Sequence, residues 1–188
     1  DRVIKRETGK LGGVKHYEQA VCWAKDLDLE VMGLFVIVVT GETREDLKMT
    51  VDFAEWNGGI DYSVFSISAP LVGTRMTKRA IKEGFYQDTG QLQKVIKRTV
   101  ALYHTKDFTE VELGLIRAYD WDRINFSTQE RREKYGRMVG MTPEQVELAR
   151  KTSFEKFQFH FPDYDGPLSF KTCCQEGMDV SGILPKGT

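Results

Sequence analysis

Glu30-Val31-Met32-Gly33-Leu34-Phe35-Val36-Ile37-Val38-Val39-Thr40-Gly41-Glu42-Thr43 decides the fold of this 188-residue chain. The run from 30 to 39 is β-branched and aromatic, and too continuous to alternate between core and water. It predicts a strand buried on both faces, as in a parallel sheet. Thr40-Gly41 breaks the strand. Thr43, with Asp46 three positions on, predicts a helix start, and that helix carries Leu47, Thr50, Val51 and Ala54 on one face. Asn57-Gly58-Gly59 stops it. Ile60 to Ala69 is a second predicted strand, ended by Pro70. Upstream, Tyr17, Ala20, Val21, Ala24 and Leu27 place an apolar face on a helix from His16 to Leu29, with Trp23 widening the stripe. This alternation predicts parallel strands joined by helical crossovers, an α/β class. Two parallel strands are too few to stand alone, so they need neighbours from further sequence or another chain.

Beyond Thr74 the texture turns helical. Met76, Ala80 and Ile81 predict a short helix closed by Gly84, and Leu92, Val95, Ile96, Thr99 and Tyr103 predict another. Thr109 with Glu112, Ser127 with Glu130, and Thr142-Pro143-Glu144-Gln145 read as three further helix starts. After about Pro162 the glycines and prolines predict loop or poorly ordered chain. Hydrophobic residues make up 40% and charged residues 29%, as in a folded globular protein. The formal net charge of -1 gives no general reason to expect nucleic acid as a partner. No apolar run approaches the ~20 residues that span a bilayer. Cys22, Cys173 and Cys174 make no disulfide framework and suggest a reducing, cytoplasmic setting. On the same ground the Asn125-Phe126-Ser127 sequon is read as unused.

Phe35-Val36-Ile37-Val38-Val39-Thr40-Gly41-Glu42-Thr43 resembles the Phe-x-x-Gly-x-Pro-Gly-Glu-Thr signature of radical S-adenosylmethionine (SAM) enzymes with a cobalamin-binding N-terminal domain. Tyr17-Glu18-Gln19-Ala20, Trp23-Ala24-Lys25-Asp26-Leu27 and Val31-Met32-Gly33 fit the same family upstream. Asp61 to Pro70, then Leu71-Val72-Gly73-Thr74, resemble its sixth barrel strand and Pro-x-Pro-Gly-Thr continuation. The resemblance implies that residues 1–85 are the C-terminal portion of a partial (β/α) barrel, 86–160 a helical extension and 161–188 an irregular tail. It implies SAM, a 4Fe–4S cluster and possible cobalamin in the parent enzyme, and a small-molecule substrate. The reaction it implies is radical methyl transfer or oxidative cyclisation. The family's Cys-x-x-x-Cys-x-x-Cys is absent from these 188 residues. The chain alone is therefore expected to bind none of these groups tightly, to be inactive, and to rely on a missing N-terminal barrel half or another chain. Three positions depart from the pattern: Val38 replaces glycine, and Thr40 and Val72 replace prolines.

Barrel sites lie at the carboxyl ends of strands. The resemblance accordingly puts Val36, Ile37, Val38, Ala69 and Pro70 beside SAM, the side chains serving mainly as barrel packing. Glu42 either orients SAM or favours the positive end of the following helix, the second being preferred. A valine at position 38 is expected to crowd the site. Asp120-Trp121-Asp122-Arg123 is expected to dock a tail helix through its tryptophan rather than to line a substrate mouth. His16, His104 and His160 have no ligand spacing. Cys173-Cys174 reads as an incidental pair rather than a metal site. The basic residues Lys94, Lys97 and Arg98, and Arg131, Arg132, Lys134 and Arg137, read as solvated helix faces. The rival reading is a non-catalytic α/β remnant or interaction module. On either reading the isolated chain should be marginally stable, since its first strand offers an open edge.

Overall fold

The computed structural model describes residues 3–5, 12–39, 41–56, 59–68, 71–84, 107 and 109–176. Its centre is the pairing of the two apolar runs. β1 (Met32–Ile37) and β2 (Tyr62–Ile67) are parallel, in register from Met32↔Tyr62 to Ile37↔Ile67. α1 (Val14–Asp26) precedes β1, α2 (Arg44–Ala54) joins the strands and α3 (Arg75–Lys82) follows β2. α4 (Glu110–Leu115), a π-helical turn (Ile116–Asp120) and α5 (Trp121–Phe126) run on as one continuous helix. α6 (Gln129–Val139), α7 (Pro143–His160) and α8 (Phe170–Glu176) follow. The protein is mixed α/β, with two parallel strands and mostly helical content.

Local chemistry explains most boundaries. Thr43 Oγ1 accepts the Asp46 N–H at 3.2 Å, and Asp46 returns the bond to the Thr43 N–H at 3.0 Å. Thr109 with Glu112, and Thr142 with Gln145, close the same reciprocal box at α4 and α7. At α6 the cap is Thr128, one residue later than expected. Ser127 stays helical at φ -59° and ψ -26°, ending α5, whereas Thr128 is extended. The expected helix over 91–103, the basic residues within it, His104 and Gly58 lie outside the described residues.

The two faces of the sheet differ. On one, Phe35, Ile37, Phe65 and Ile67 pack with Leu47, Val51 and Ala54 of α2, and with Leu113, Ile116, Ile124 and Phe170. On the other, Tyr62 and Val64 pack with Phe126, Tyr135 and Val146. That cover stops at β2. Met32, Leu34 and Val36 of β1 are 44%, 74% and 56% exposed. Burial of β1 on both faces is therefore not met, because α5 and α6 reach the second strand and not the first. Of the α1 stripe Val21 is buried and Ala24 half-buried, whereas Tyr17, Ala20 and Leu27 are exposed.

β2 has its outer edge closed by a side chain. Asn125 Oδ1 accepts the Ser63 N–H at 2.7 Å, and its Nδ2 donates to the Ser63 carbonyl at 3.0 Å. One amide thus does what a neighbouring strand would do for that residue. The sequon asparagine is 1% exposed and occupied by this role. The α6 basic residues are corrected by the structure too. Lys134 pairs with Asp61, Arg132 donates to the Phe126 carbonyl at 2.7 Å and Arg131 reaches the Ile60 carbonyl. Of the four, only Arg137 is exposed.

Within the segment expected to be irregular, Phe170–Glu176 is helical, and Phe170 is fully buried in the main core. The reason lies 50 residues upstream. Asp120, also fully buried, accepts the Phe170 N–H and the Ser169 hydroxyl, both at 2.8 Å. Lys171 then pairs with Asp52 of α2 and with Glu55, the residue that caps its C-terminus. Phe170→Ala is expected to destabilise the protein by about 3–5 kcal/mol, read by chemical denaturation. A loss within the surface range of about 0.5 kcal/mol would mean that α8 is not part of the core.

Candidate functional site

The turn after β1 is organised by one carboxyl group. Val38 has φ +67°, a left-handed conformation that β-branched residues strongly disfavour. Gly41 follows at φ +81°, and the Glu42 N–H closes on the Val39 carbonyl at 2.8 Å. Glu42 Oε2 accepts the Val38 N–H at 2.5 Å and the Val39 N–H at 3.1 Å. Its residue is 5% exposed. Burial raises the Glu42 pKa to about 7; the two backbone bonds oppose the shift, and the nearby Asp46 charge adds to it.

The positive φ explains the family's glycine at position 38, which avoids the steric cost. Val38 turns its side chain into the core, with no exposure, among Leu47, Val51, Leu113, Ile116 and Phe170. It fills the interior and projects nothing outward to crowd a ligand at the rim. Ile37 is equally buried, whereas Val36 points to the open face. Thus Ile37, Val38 and Glu42 come together, and Val36 stands apart from them. Ala69 and Pro70 lie outside the described residues. Glu42 neither points to solvent nor caps α2, whose cap is Thr43; it braces its own loop.

Two helix starts meet beside this turn. Arg44 Nη2 lies 2.8 Å from Glu112 Oε1, and its Nε donates to the Asp107 carbonyl at 3.2 Å. Glu112 is fully buried, and desolvation holds its carboxyl above the usual carboxylate range. After β2, the Ser68 N–H donates to the Ile37 carbonyl at 2.8 Å, and its hydroxyl contacts Met76 Sδ at 3.2 Å. The arrangement can shape and stiffen a rim. Its buried acids serve the backbone and Arg44.

Asp120-Trp121-Asp122-Arg123 sits inside a helix and joins several elements. Asp120 holds α8, Arg123 pairs with Glu55 of α2, and Asp122 pairs with Arg150 of α7 at 2.6 Å. Trp121 packs against two parts of the core, which include Phe170 of α8 and Val146 of α7. The π-helical turn that carries Asp120 had no counterpart in the sequence pattern.

Among the described residues no three His, Cys, Asp or Glu side chains come together to hold a metal ion. Cys22 is exposed on α1 and Cys173 is buried beside Tyr164. His16 accepts the Gly13 N–H at the start of α1. The described residues do not supply the thiolates of an iron–sulfur cluster. Among them, no helix is long and apolar enough to cross a membrane.

No family profile and no solved structure matches the chain. It is 42% identical over 62 residues to an uncharacterized methyltransferase of Pyrococcus horikoshii, a match covering 33% of this chain and 13% of that protein. It is 25% identical over 100 residues to the cytidylyl-2-hydroxyethylphosphonate methyltransferase of Streptomyces wedmorensis, covering 50% and 18%. The chain thus matches less than a fifth of the length of either relative. These are similarities to methyltransferases at low coverage.

The Glu42 turn has a pH signature. The ordinary glutamate value is 4.5 and the folded value about 7, so the native state holds the proton more tightly. Its stabilising effect is full below the ordinary value and is lost as pH rises through the folded one. The difference is on the order of 3–4 kcal/mol. Glu42→Gln is expected to flatten the fall in unfolding free energy between about pH 5 and about pH 8. Denaturant titrations at both ends check this, and an unchanged slope in the variant would place the proton elsewhere.

Proposed function

We propose that the chain forms late strands and following helices of a radical SAM methyltransferase barrel, completed by polypeptide that pairs with the free edge of β1. By itself it performs no turnover. The observation that carries this reading is the asymmetry of the sheet. No strand among the described residues pairs with either outer edge, but on the β2 side Asn125 satisfies Ser63 and helices cover the face, as they do not at the edge of β1. Beside that edge Met32, Leu34 and Val36 present apolar surface to solvent. Parallel strands are characteristically covered on both faces. A further parallel strand on β1, with barrel interior beyond it, would cover this one. The two methyltransferase similarities support the class of reaction, and the Phe35–Thr43 signature supports the radical type.

On this reading the SAM site lies at the carboxyl ends of the strands. Val36 offers an exposed apolar wall there, and the resemblance assigns Ala69-Pro70 to its border. Ile37 and Val38 contribute through backbone and packing, and Glu42 fixes the turn that positions them. When bound, SAM supplies the transferable methyl and 5′-deoxyadenosyl groups. The cluster thiolates and any cobalamin contacts belong to the completing polypeptide. Its substrate is a small molecule, and neither nucleic acid nor a membrane span enters the scheme.

The second reading is a non-catalytic α/β interaction module. It is favoured by the lack of a metal-binding set among the described residues and by the use of the Glu42 carboxyl within its own loop. Sequencing the gene on the 5′ side of the Asp1 codon separates the two. An in-frame Cys-x-x-x-Cys-x-x-Cys is expected. An adjoining frame without it would end the radical SAM reading and leave the module.

A further inference from the structure

A cavity of about 450 Å³ lies between the continuous helix of residues 110–126, α7 and β2. That volume is in the range of small-molecule sites. It is separate from the Glu42 turn. Its body is apolar and aromatic, with Trp121 and Phe157 among the walls, and its charge is uneven. Arg117, Lys156 and His160 line it against a single carboxylate, Glu110. Lys156 stands exposed at the mouth, and Arg117 is half-buried.

A second, independent feature sits on the same wall. The helix widens into its π-helical turn over Ile116–Asp120, and Arg117 and Ala118 of that turn line the cavity. π-Turns disrupt regular helix bonding and are found frequently at functional sites. The turn is braced from the opposite wall, because the Ser153 hydroxyl of α7 donates to the Arg117 carbonyl at 3.2 Å. The irregularity is therefore held in place, and it puts Arg117 on the wall of a largely apolar, half-open cavity.

We propose that this cavity binds a small organic anion with a flat apolar body. Its ring is held among the aromatic walls, and its carboxylate or phosphate-type group is held by Arg117, with Lys156 at the entrance. Guanidinium is the side chain best suited to a planar oxyanion, through paired charge-assisted hydrogen bonds. The aromatic walls provide area for the body of the ligand without requiring a particular ring. This assignment does not depend on how the edge of β1 is completed.

Calorimetric titration of the full chain with naphthoate and with its neutral amide tests the proposal. Naphthoate should bind at least about tenfold more tightly than the amide, a preference typical of one charge-assisted contact. Arg117→Gln should bring the two ligands to within about twofold and leave the amide unchanged. If that variant fails to fold, Lys156→Gln at the exposed mouth gives the second reading, with naphthoate weakened and the amide unaffected. Equal affinities for the two ligands would overturn the proposal. So would a preference that survives Arg117→Gln, an unchanged naphthoate affinity in Lys156→Gln, or no binding of either ligand at millimolar concentration.

Discussion

A two-stranded parallel sheet cannot satisfy its own margins. Each strand points half of its amides and carbonyls away from the partner, and each needs cover on both faces. The arrangement of this protein follows from how unevenly that need is met. On the β2 side an asparagine amide satisfies Ser63, and its helix brings Trp121, Phe126 and, through α6, Tyr135 over the face. On the β1 side no further strand pairs among the described residues, and the same face stays exposed.

The strand pair and the helix that connects it were legible because each rests on local signals. A continuous apolar run, a Gly-containing break and a Thr-x-x-Asp cap lie next to one another in sequence and need no distant partner. Thr109 and Thr142 were readable for the same reason. The missed cap at Thr128 shows the limit, since Ser127 and Thr128 are both good caps and only backbone geometry chooses. Phe170 was illegible for a different reason. The residues around it are punctuated by glycine and proline, and its anchor, Asp120, belongs to another helix. Exposure of Leu34 was hidden because a continuous apolar run reports affinity for a core without saying whether the core is all in one chain.

The place of Val36, Ile37, Val38 and Glu42 around the end of β1 was legible in the pattern; the contacts each makes were not. What each does depends on direction, which a pattern does not carry. The clue to Val38 was present all along, because a glycine in the related signature marks either a close approach or a left-handed backbone, and here it marks the latter. Glu42 was weighed as a ligand or a helix-end charge, yet its carboxyl bonds the two amides before the turn. The cavity around Arg117 had no sequence signal at all. Its walls come from residues 62 to 161, and the π-turn that aims them has no composition of its own.

The Asp120 anchor has a consequence for how the chain is made. Phe170, which lies against both strands, is synthesised more than a hundred residues after Ile67. Until it emerges, Asp120 lacks its amide partner and the space between the sheet and the long helix lacks its plug. Over that stretch of translation the nascent chain carries open apolar surface, the condition under which chaperones engage their clients.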